Sequence, residues 1–336
     1  MKIHYFSGEA WEEAYVKAKL PGEDVHFHEG PLSAFPDLSD ADTTVLCVFI
    51  ESKIGETEMK RFPALKLIAT RSTGFDHVDL AAAKALGITV VNVPFYGENT
   101  VAEFTFALLL ALSRRVIDAD ERVREGTFSP KDLRGFDLAG KTLGVVGCGH
   151  IGMHVIKMAN GFGMKVIGFE VHQDPELAQK NNFTYAPLAE VLSSSDIVTI
   201  HVPYNAHTHH LINHENIMSF KKGSYLINTS RGGIVETDAL VAALKSGLLA
   251  GAALDVLEEE GDLADATALL TGAHPSEESL RTTLENHYLI SHPRVIVTPH
   301  LAFNTTEAVE RILDTTIENI QKFKSGTPEN IVAPAA

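Results

Sequence analysis

Cysteine is nearly absent from this 336-residue chain: Cys47 and Cys148 are the only two. They stand far apart, so neither a disulfide framework nor a cysteine-built metal centre is expected, and a reducing cytosol suits them. Long hydrophobic runs are missing too. The most apolar stretch, Phe106 to Leu112, falls far short of the roughly 20 residues that span a bilayer. The opening Met1-Lys-Ile-His-Tyr-Phe6 breaks into polar residues at once and lacks the apolar core of a signal peptide. A cytoplasmic protein with no membrane contact is the expectation. Positive charge is scarce, with 28 Lys and Arg against 44 Asp and Glu and a net charge of -16. Such a surface repels nucleic acid and anionic lipid, so no nucleic-acid partner is expected.

What is present is a globular composition, 45% hydrophobic with 25 Gly, and a length that favours two domains and allows an active cleft between them. Short apolar runs alternate with helical stretches from Met1 to about Val93. The opening residues, Val45-Leu-Cys-Val-Phe-Ile50, Leu65 to Ala69 and Ile88 to Val91 read as buried parallel strands. A long helix is expected from near Asn99, capped by Asn or Thr, toward Arg114 and Arg115. A second series then predicts six strands, near 143–146, 166–169, 197–202, 225–228, 251–254 and 295–298, with a helix over Ala239 to Ser246. Right-handed crossovers make it a doubly wound parallel sheet. The periodic stretch Thr305 to Lys324 has no strand left to serve there, so it is expected to return to the first domain. Residues 261–293 form an unusually long connection, suited to a functional loop or an added helix. The last residues, Val332 to Ala336, read as a loose tail.

Chemistry concentrates in the second series. Gly147-Cys-Gly149-His-Ile-Gly152 follows a strand and opens a helix. In this pattern the first glycine permits a tight turn, the second lets backbone approach a diphosphate, and the third packs helix on sheet. Glu170 ends the next strand, where a carboxylate can take both ribose hydroxyls and repel a 2'-phosphate. No arginine follows it in Val171-His-Gln-Asp174. NAD is therefore favoured over NADP.

Three later strands end in ionisable tips: Arg231 after Asn228-Thr-Ser, the run Asp255 to Glu260 after Leu254, and His300 after Thr298-Pro. Taken singly, each has a commonplace explanation, a surface ion pair, a solvated acidic face or a structural histidine. Together, after a dinucleotide turn, they fit reduction of a small 2-oxo acid. Arg231 would grip the substrate, and His300 would protonate the forming alkoxide with Glu260 favouring its charged form. His207, His209, His210 and His214 lack a ligand pattern such as H-E-x-x-H, and no metal is expected.

These residues resemble the D-isomer-specific 2-hydroxyacid dehydrogenases, nearest in appearance to the D-lactate dehydrogenases. The resemblance spans nearly the whole chain. It rests on Arg71-Ser-Thr-Gly-Phe-Asp-His-Val-Asp79, Asn92-Val-Pro-Phe-Tyr-Gly97, Val101-Ala-Glu103, the glycine turn, His201-Val-Pro203, Asn228 to Gly232, Leu254 to Glu260 and Thr298 to Phe303. It implies two Rossmann-like α/β domains, with a cofactor domain (99–299) inserted into a flavodoxin-like substrate domain (1–98 plus 300–336). His150, Ile151, Glu170, His201, Val202, Pro203, Thr229, Ser230 and Asp255 are implied to line NAD. Arg231, Glu260 and His300 are implied as the catalytic set. Thr73 and Gly74 are implied to take the substrate carboxylate, with Tyr96 and Phe303 by its side group. That aromatic pair suits pyruvate, giving D-lactate, and a homodimer is implied. Alternatives are another small 2-oxo acid, such as glyoxylate, hydroxypyruvate or a branched acid, and an NAD-sensing binding protein akin to corepressors. Phe104 and Asn304 depart from the common pattern, which bears on substrate range.

Overall fold

The computed structural model describes residues 1–260 and 276–333. The chain divides into two compact units, Met1–Tyr96 with Thr305–Ala336, and Gly97–Asn304. The expected divisions at 98 and 300 lie a few residues away.

The first unit is a five-stranded parallel sheet in the order β2-β1-β3-β4-β5, the flavodoxin-like arrangement. Its strands are β1 (Lys2–Phe6), β2 (Asp24–His28), β3 (Val45–Val48), β4 (Leu67–Thr70) and β5 (Thr89–Val91). β3 and β4 are buried at every residue, which is why they read as unbroken apolar runs. β2 escapes such a reading because its sequence, Asp-Val-His-Phe-His, places polar residues at an edge. The helix Thr306–Lys324 belongs to this unit. Thr305 caps it by accepting from the Ala308 N–H at 3.2 Å. Its stripe of Ala308, Ile312, Leu313, Ile317 and Ile320 is buried, each large side chain contributing about 1.5–3 kcal/mol.

The second unit is a seven-stranded parallel sheet, β12-β11-β10-β9-β6-β7-β8. The strands are β6 (Thr142–Val146), β7 (Lys165–Phe169), β8 (Thr184–Tyr185), β9 (Ile197–Ile200), β10 (Ser224–Asn228), β11 (Leu249–Leu254) and β12 (Val295–Val297). Strand order reverses beside β6, so the ends of β6 and β9 form the switch point where doubly wound sheets bind ligands. Seven strands rather than six is a correction. β8 is two residues long, too short to carry a periodic signal.

The long helix is corrected at its start, and its far end falls where expected. It runs Glu98–Arg114 from a glycine, Gly97, with no side-chain cap, and stops where Arg115 takes a left-handed φ of 52°. The expected helix near 239–246 spans Thr237–Lys245. Of the long connection, Glu277–Ser291 is an α-helix capped by Ser276, whereas 261–275 lie outside the described residues, as do the tail residues 334–336. No described helix is long and apolar enough to cross a membrane.

Candidate active site

The glycine turn sits between β6 and the helix His150–Gly161. Gly147 has φ +96°, and a Cβ there would lie 2.7 Å from the carbonyl carbon of His201. A Cβ on Gly152 would lie 2.1 Å from the Gly147 oxygen. Neither position tolerates a side chain. A Cβ on Gly149, by contrast, would meet nothing within 4 Å among the described residues. Gly149 caps the helix without a side chain, so the first-turn N–H groups face open space suited to a diphosphate. A groove of about 510 Å³ runs from this turn along the helix, lined by Glu98, Gly149 and His150 and further on by His154, Lys157, Leu177 and Asn181. Glu170 accepts hydrogen bonds from the Cys148 N–H at 3.0 Å and the Val171 N–H at 2.8 Å. Its carboxylate is thereby held against the turn. The residues present fit a dinucleotide.

His201 follows β9, and its Nε2 lies 2.9 Å from Thr199 Oγ1. Its Nδ1 is buried and unpartnered among the described residues, and burial pushes its pKa down to about 3. Val202 packs on the sheet core, while Pro203 offers its carbonyl to Thr208 Oγ1 at 2.6 Å. His150 stands 3.3 Å from Glu98, and Ile151 packs against the buried cluster that holds Val145, Val155 and Ile156.

The turn after β10 is fastened on three sides. Asn228 Oδ1 accepts from the Ser230 N–H at 3.0 Å and its amide donates to the Arg231 carbonyl at 2.9 Å. Ser230 Oγ donates to the Ile200 carbonyl at 2.8 Å, and the Thr229 and Thr105 hydroxyls meet at 2.9 Å. The Arg231 guanidinium, half-buried, donates to the Ser230 carbonyl at 2.8 Å.

His300 caps the end of β12 in the left-handed region, φ 51°. Its backbone N–H is shared between the carbonyls of Asp255 at 2.8 Å and Thr298 at 3.0 Å. The ring Nδ1–H donates to Glu260 Oε1 at 2.7 Å. That bond fixes the tautomer, Nδ1 carrying the proton toward the carboxylate and Nε2 being the ring nitrogen that Glu260 does not engage. Asp255, 1% exposed, accepts from Thr298 Oγ1 at 2.6 Å and from the N–H groups of Leu301 at 3.0 Å and Ala302 at 2.8 Å. Burial raises its pKa, and these hydrogen bonds oppose that rise. The resemblance implies a cofactor role for Asp255. The structure shows its carboxylate binding the turn that carries His300.

Arg231, Glu260 and His300 thus all follow strands of the one sheet, and Glu260 and His300 are in direct contact. Phe303, half-buried, lies just beyond His300. Thr73, Gly74 and Tyr96 lie in the first unit. Thr73 Oγ1 donates to the Val93 carbonyl at 2.8 Å and the Thr73 carbonyl accepts from Asn92 at 2.8 Å. Gly74 O accepts from Ser72 Oγ at 2.6 Å, and Tyr96 O accepts from Arg311 at 2.7 Å. Phe104 packs against the core of the second unit and Asn304 is exposed in a turn.

The side chains of Glu258 and His210 bond at 2.6 Å; the sequence shows both, each inside a run of like residues, with no signal that pairs them. In the other direction, the ligand atoms of His214, Glu236 and Asp238 come within 4.8 Å of one another, but Arg281 already occupies Asp238 at 2.9 Å.

A dinucleotide turn and a carboxylate-held histidine on one parallel sheet define an NAD-dependent oxidoreductase. Residues 106–302 match the model of the D-isomer specific 2-hydroxyacid dehydrogenase, NAD binding domain, and the chain belongs to that family. It is similar to a 2-hydroxyacid dehydrogenase homolog of Zymomonas mobilis, 37% identical over 97% of this chain and 98% of that one. A glyoxylate reductase of Thermofilum pendens is 38% identical over 83% of this chain and 78% of that one. Among solved structures, D-lactate dehydrogenase from Aquifex aeolicus, complexed with NAD and lactic acid, superposes with a TM-score of 0.89 at 34% identity, over 100% of both chains.

Proposed function

We propose that this dehydrogenase reduces a small 2-oxo acid, pyruvate foremost, to the D-2-hydroxy acid. The observation that carries the reading is the 2.7 Å bond from His300 to Glu260, in the unit that also holds Arg231 and the NAD turn. NADH, held with its diphosphate on the Gly147–Gly152 turn and its ribose at Glu170, would supply the hydride. The remaining chemistry belongs to the chain. Arg231 places a permanent cation beside the substrate carboxylate and carbonyl oxygen, drawing electron density from the carbon under attack. His300 Nε2 gives its proton to the oxygen as negative charge forms there. Glu260, accepting from Nδ1, stabilises the charged ring before transfer and holds its direction throughout. Oxidation runs the same steps backwards, with neutral His300 as base.

The roles that the resemblance gives Thr73, Gly74 and Tyr96, receipt of the carboxylate and a boundary for the side group, stay within the proposal, as do Phe303 and a homodimeric assembly. Likeness to the Aquifex aeolicus enzyme over the full length supports pyruvate. Likeness to the glyoxylate reductase supports a second reading, in which the side group is smaller still.

The test is NADH oxidation over pyruvate, glyoxylate, hydroxypyruvate, 2-oxoisocaproate and phenylpyruvate, with chiral analysis of each product. The largest kcat/KM is expected for pyruvate, yielding D-lactate. His300→Ala should lose at least about 10²-fold in kcat with NADH affinity held. Turnover retained in that variant removes His300 as the acid.

A further inference from the structure

We infer that His210 and Glu258 are positioning residues that hold Arg231 and Glu260 at a fixed separation, an inference that rests on the roles proposed above for those two side chains. Arg231 and Glu260 sit on different loops, one after β10 and the other after β11. Where the loops touch, contact is backbone on backbone: a Cβ at Gly232 would fall 2.0 Å from the Leu257 carbonyl carbon and 2.3 Å from the Glu258 nitrogen. Such contact sets how closely the loops approach. It does nothing to keep them from parting.

His210 supplies that restraint. Its backbone N–H donates to the Gly233 carbonyl at 2.9 Å, on the Arg231 side. Its ring Nε2–H donates to Glu258 Oε1 at 2.6 Å, on the Glu260 side. Glu258 repeats the link with its other oxygen, which accepts from Thr237 Oγ1 at 2.8 Å and Thr237 N–H at 3.2 Å, where the helix after the Arg231 turn begins. Asn286, on the helix Glu277–Ser291, donates its amide to the Glu258 carbonyl at 2.7 Å and fixes the backbone from which the Glu258 side chain makes these links.

The His210 ring has little freedom to turn. His209 stacks on it at 3.8 Å, and Tyr204 OH bonds His209 Nδ1 at 3.1 Å. The Tyr204 ring in turn lies 3.0 Å from where a Gly233 Cβ would be. His210 itself holds a left-handed φ of 49°, a conformation that a residue with a Cβ keeps only where its surroundings impose it. Imposing it aims backbone and ring of one residue at two loops.

The experiment uses the full-length enzyme with NADH and the best 2-oxo acid of the panel. His210→Ala keeps the backbone tie and deletes the ring; the expected result is a kcat lower by about 10–100-fold, since a 1 Å misplacement at a reacting centre has that scale. KM should change less, NADH affinity by fluorescence should hold, and Tm should stay near wild type. The pH at which kcat halves should move, because Glu260 no longer holds His300 as before. His210→Gln, which still has an N–H for Glu258, should recover much of the loss. Glu258→Gln, measured alongside, should share the moved pH profile and serves alone if His210→Ala fails to fold. An unmoved pH profile with unchanged kcat overturns the inference. So does a loss that follows Tm and that Gln does not repair. A wild-type enzyme inert toward every 2-oxo acid would instead sink the proposed function, which keeps the two failures apart.

Discussion

Replacing Gly232 by alanine should separate the catalytic loops without removing any catalytic side chain. The added Cβ would stand 2.0 Å from the Leu257 carbonyl carbon, 2.1 Å from its oxygen and 2.3 Å from the Glu258 nitrogen. All three atoms are backbone and none can rotate aside. Ordinary contact begins at 3.4 Å, so relief requires about 1.4 Å of movement (3.4 less 2.0) between the Arg231 turn and the Glu260 segment. Passed on to Glu260, a shift of that size stretches its 2.7 Å bond to His300 toward 4 Å, beyond hydrogen-bond range. Overpacking costs about 1–3 kcal/mol of stability, a fall of a few degrees to roughly 10 °C in Tm for a unit of this size. The folded variant should lose about 10²-fold in kcat. Steady-state kinetics with pyruvate and NADH, at a temperature where circular dichroism shows both proteins fully folded, makes the measurement. Activity within twofold of wild type would refute the reasoning, because it would mean the two loops tolerate more than 1 Å of relative movement.

Glu170→Ala should narrow the preference for NADH over NADPH, since the carboxylate at the glycine turn repels a 2'-phosphate; an unchanged ratio of kcat/KM values withdraws Glu170 from the ribose. Acid should destabilise the chain partly through His201. Its folded pKa is depressed to about 3 from an ordinary 6.5, so the native ring stays neutral while the unfolded ring takes up a proton. The associated stability is whole above about pH 6.5 and drains away as pH falls toward 3. Between pH 6.5 and about 4.5 that amounts to about 2–3 kcal/mol. Urea unfolding at both pH values should show a smaller acid loss in His201→Gln than in wild type, and equal losses would contradict the burial assigned to this ring.

What could be read in the sequence, and what could not, follows from the range of the interactions involved. β3, β4 and β9 announce themselves because burial on both faces demands apolar residues throughout. Gly147 and Gly152 are legible because a positive φ and a close backbone approach leave one residue type able to serve. The C-terminal helix shows its stripe and its cap in consecutive letters. β2 and β8 stay hidden, one an edge strand of mixed polarity and the other only two residues long.

At the site, the residues suited to touch substrate were legible as chemistry, a permanent cation and a titrating ring at strand ends. Their supports were not. Nothing local marks Glu258 off from Glu259, or His210 off from His209. The difference arises only when loops 48 residues apart in sequence close on each other. Asp255 shows the same limit from the other direction: the family resemblance assigns it to the cofactor, while its three hydrogen bonds to the 298–302 turn require the folded sheet. Chemistry that one side chain can perform is written in one letter, whereas placement to within an ångström is shared among residues whose letters, taken alone, describe only a polar surface. A variant series confined to Arg231, Glu260 and His300 would therefore measure the reaction and miss what aligns it, which is why Gly232 and His210 are the informative positions.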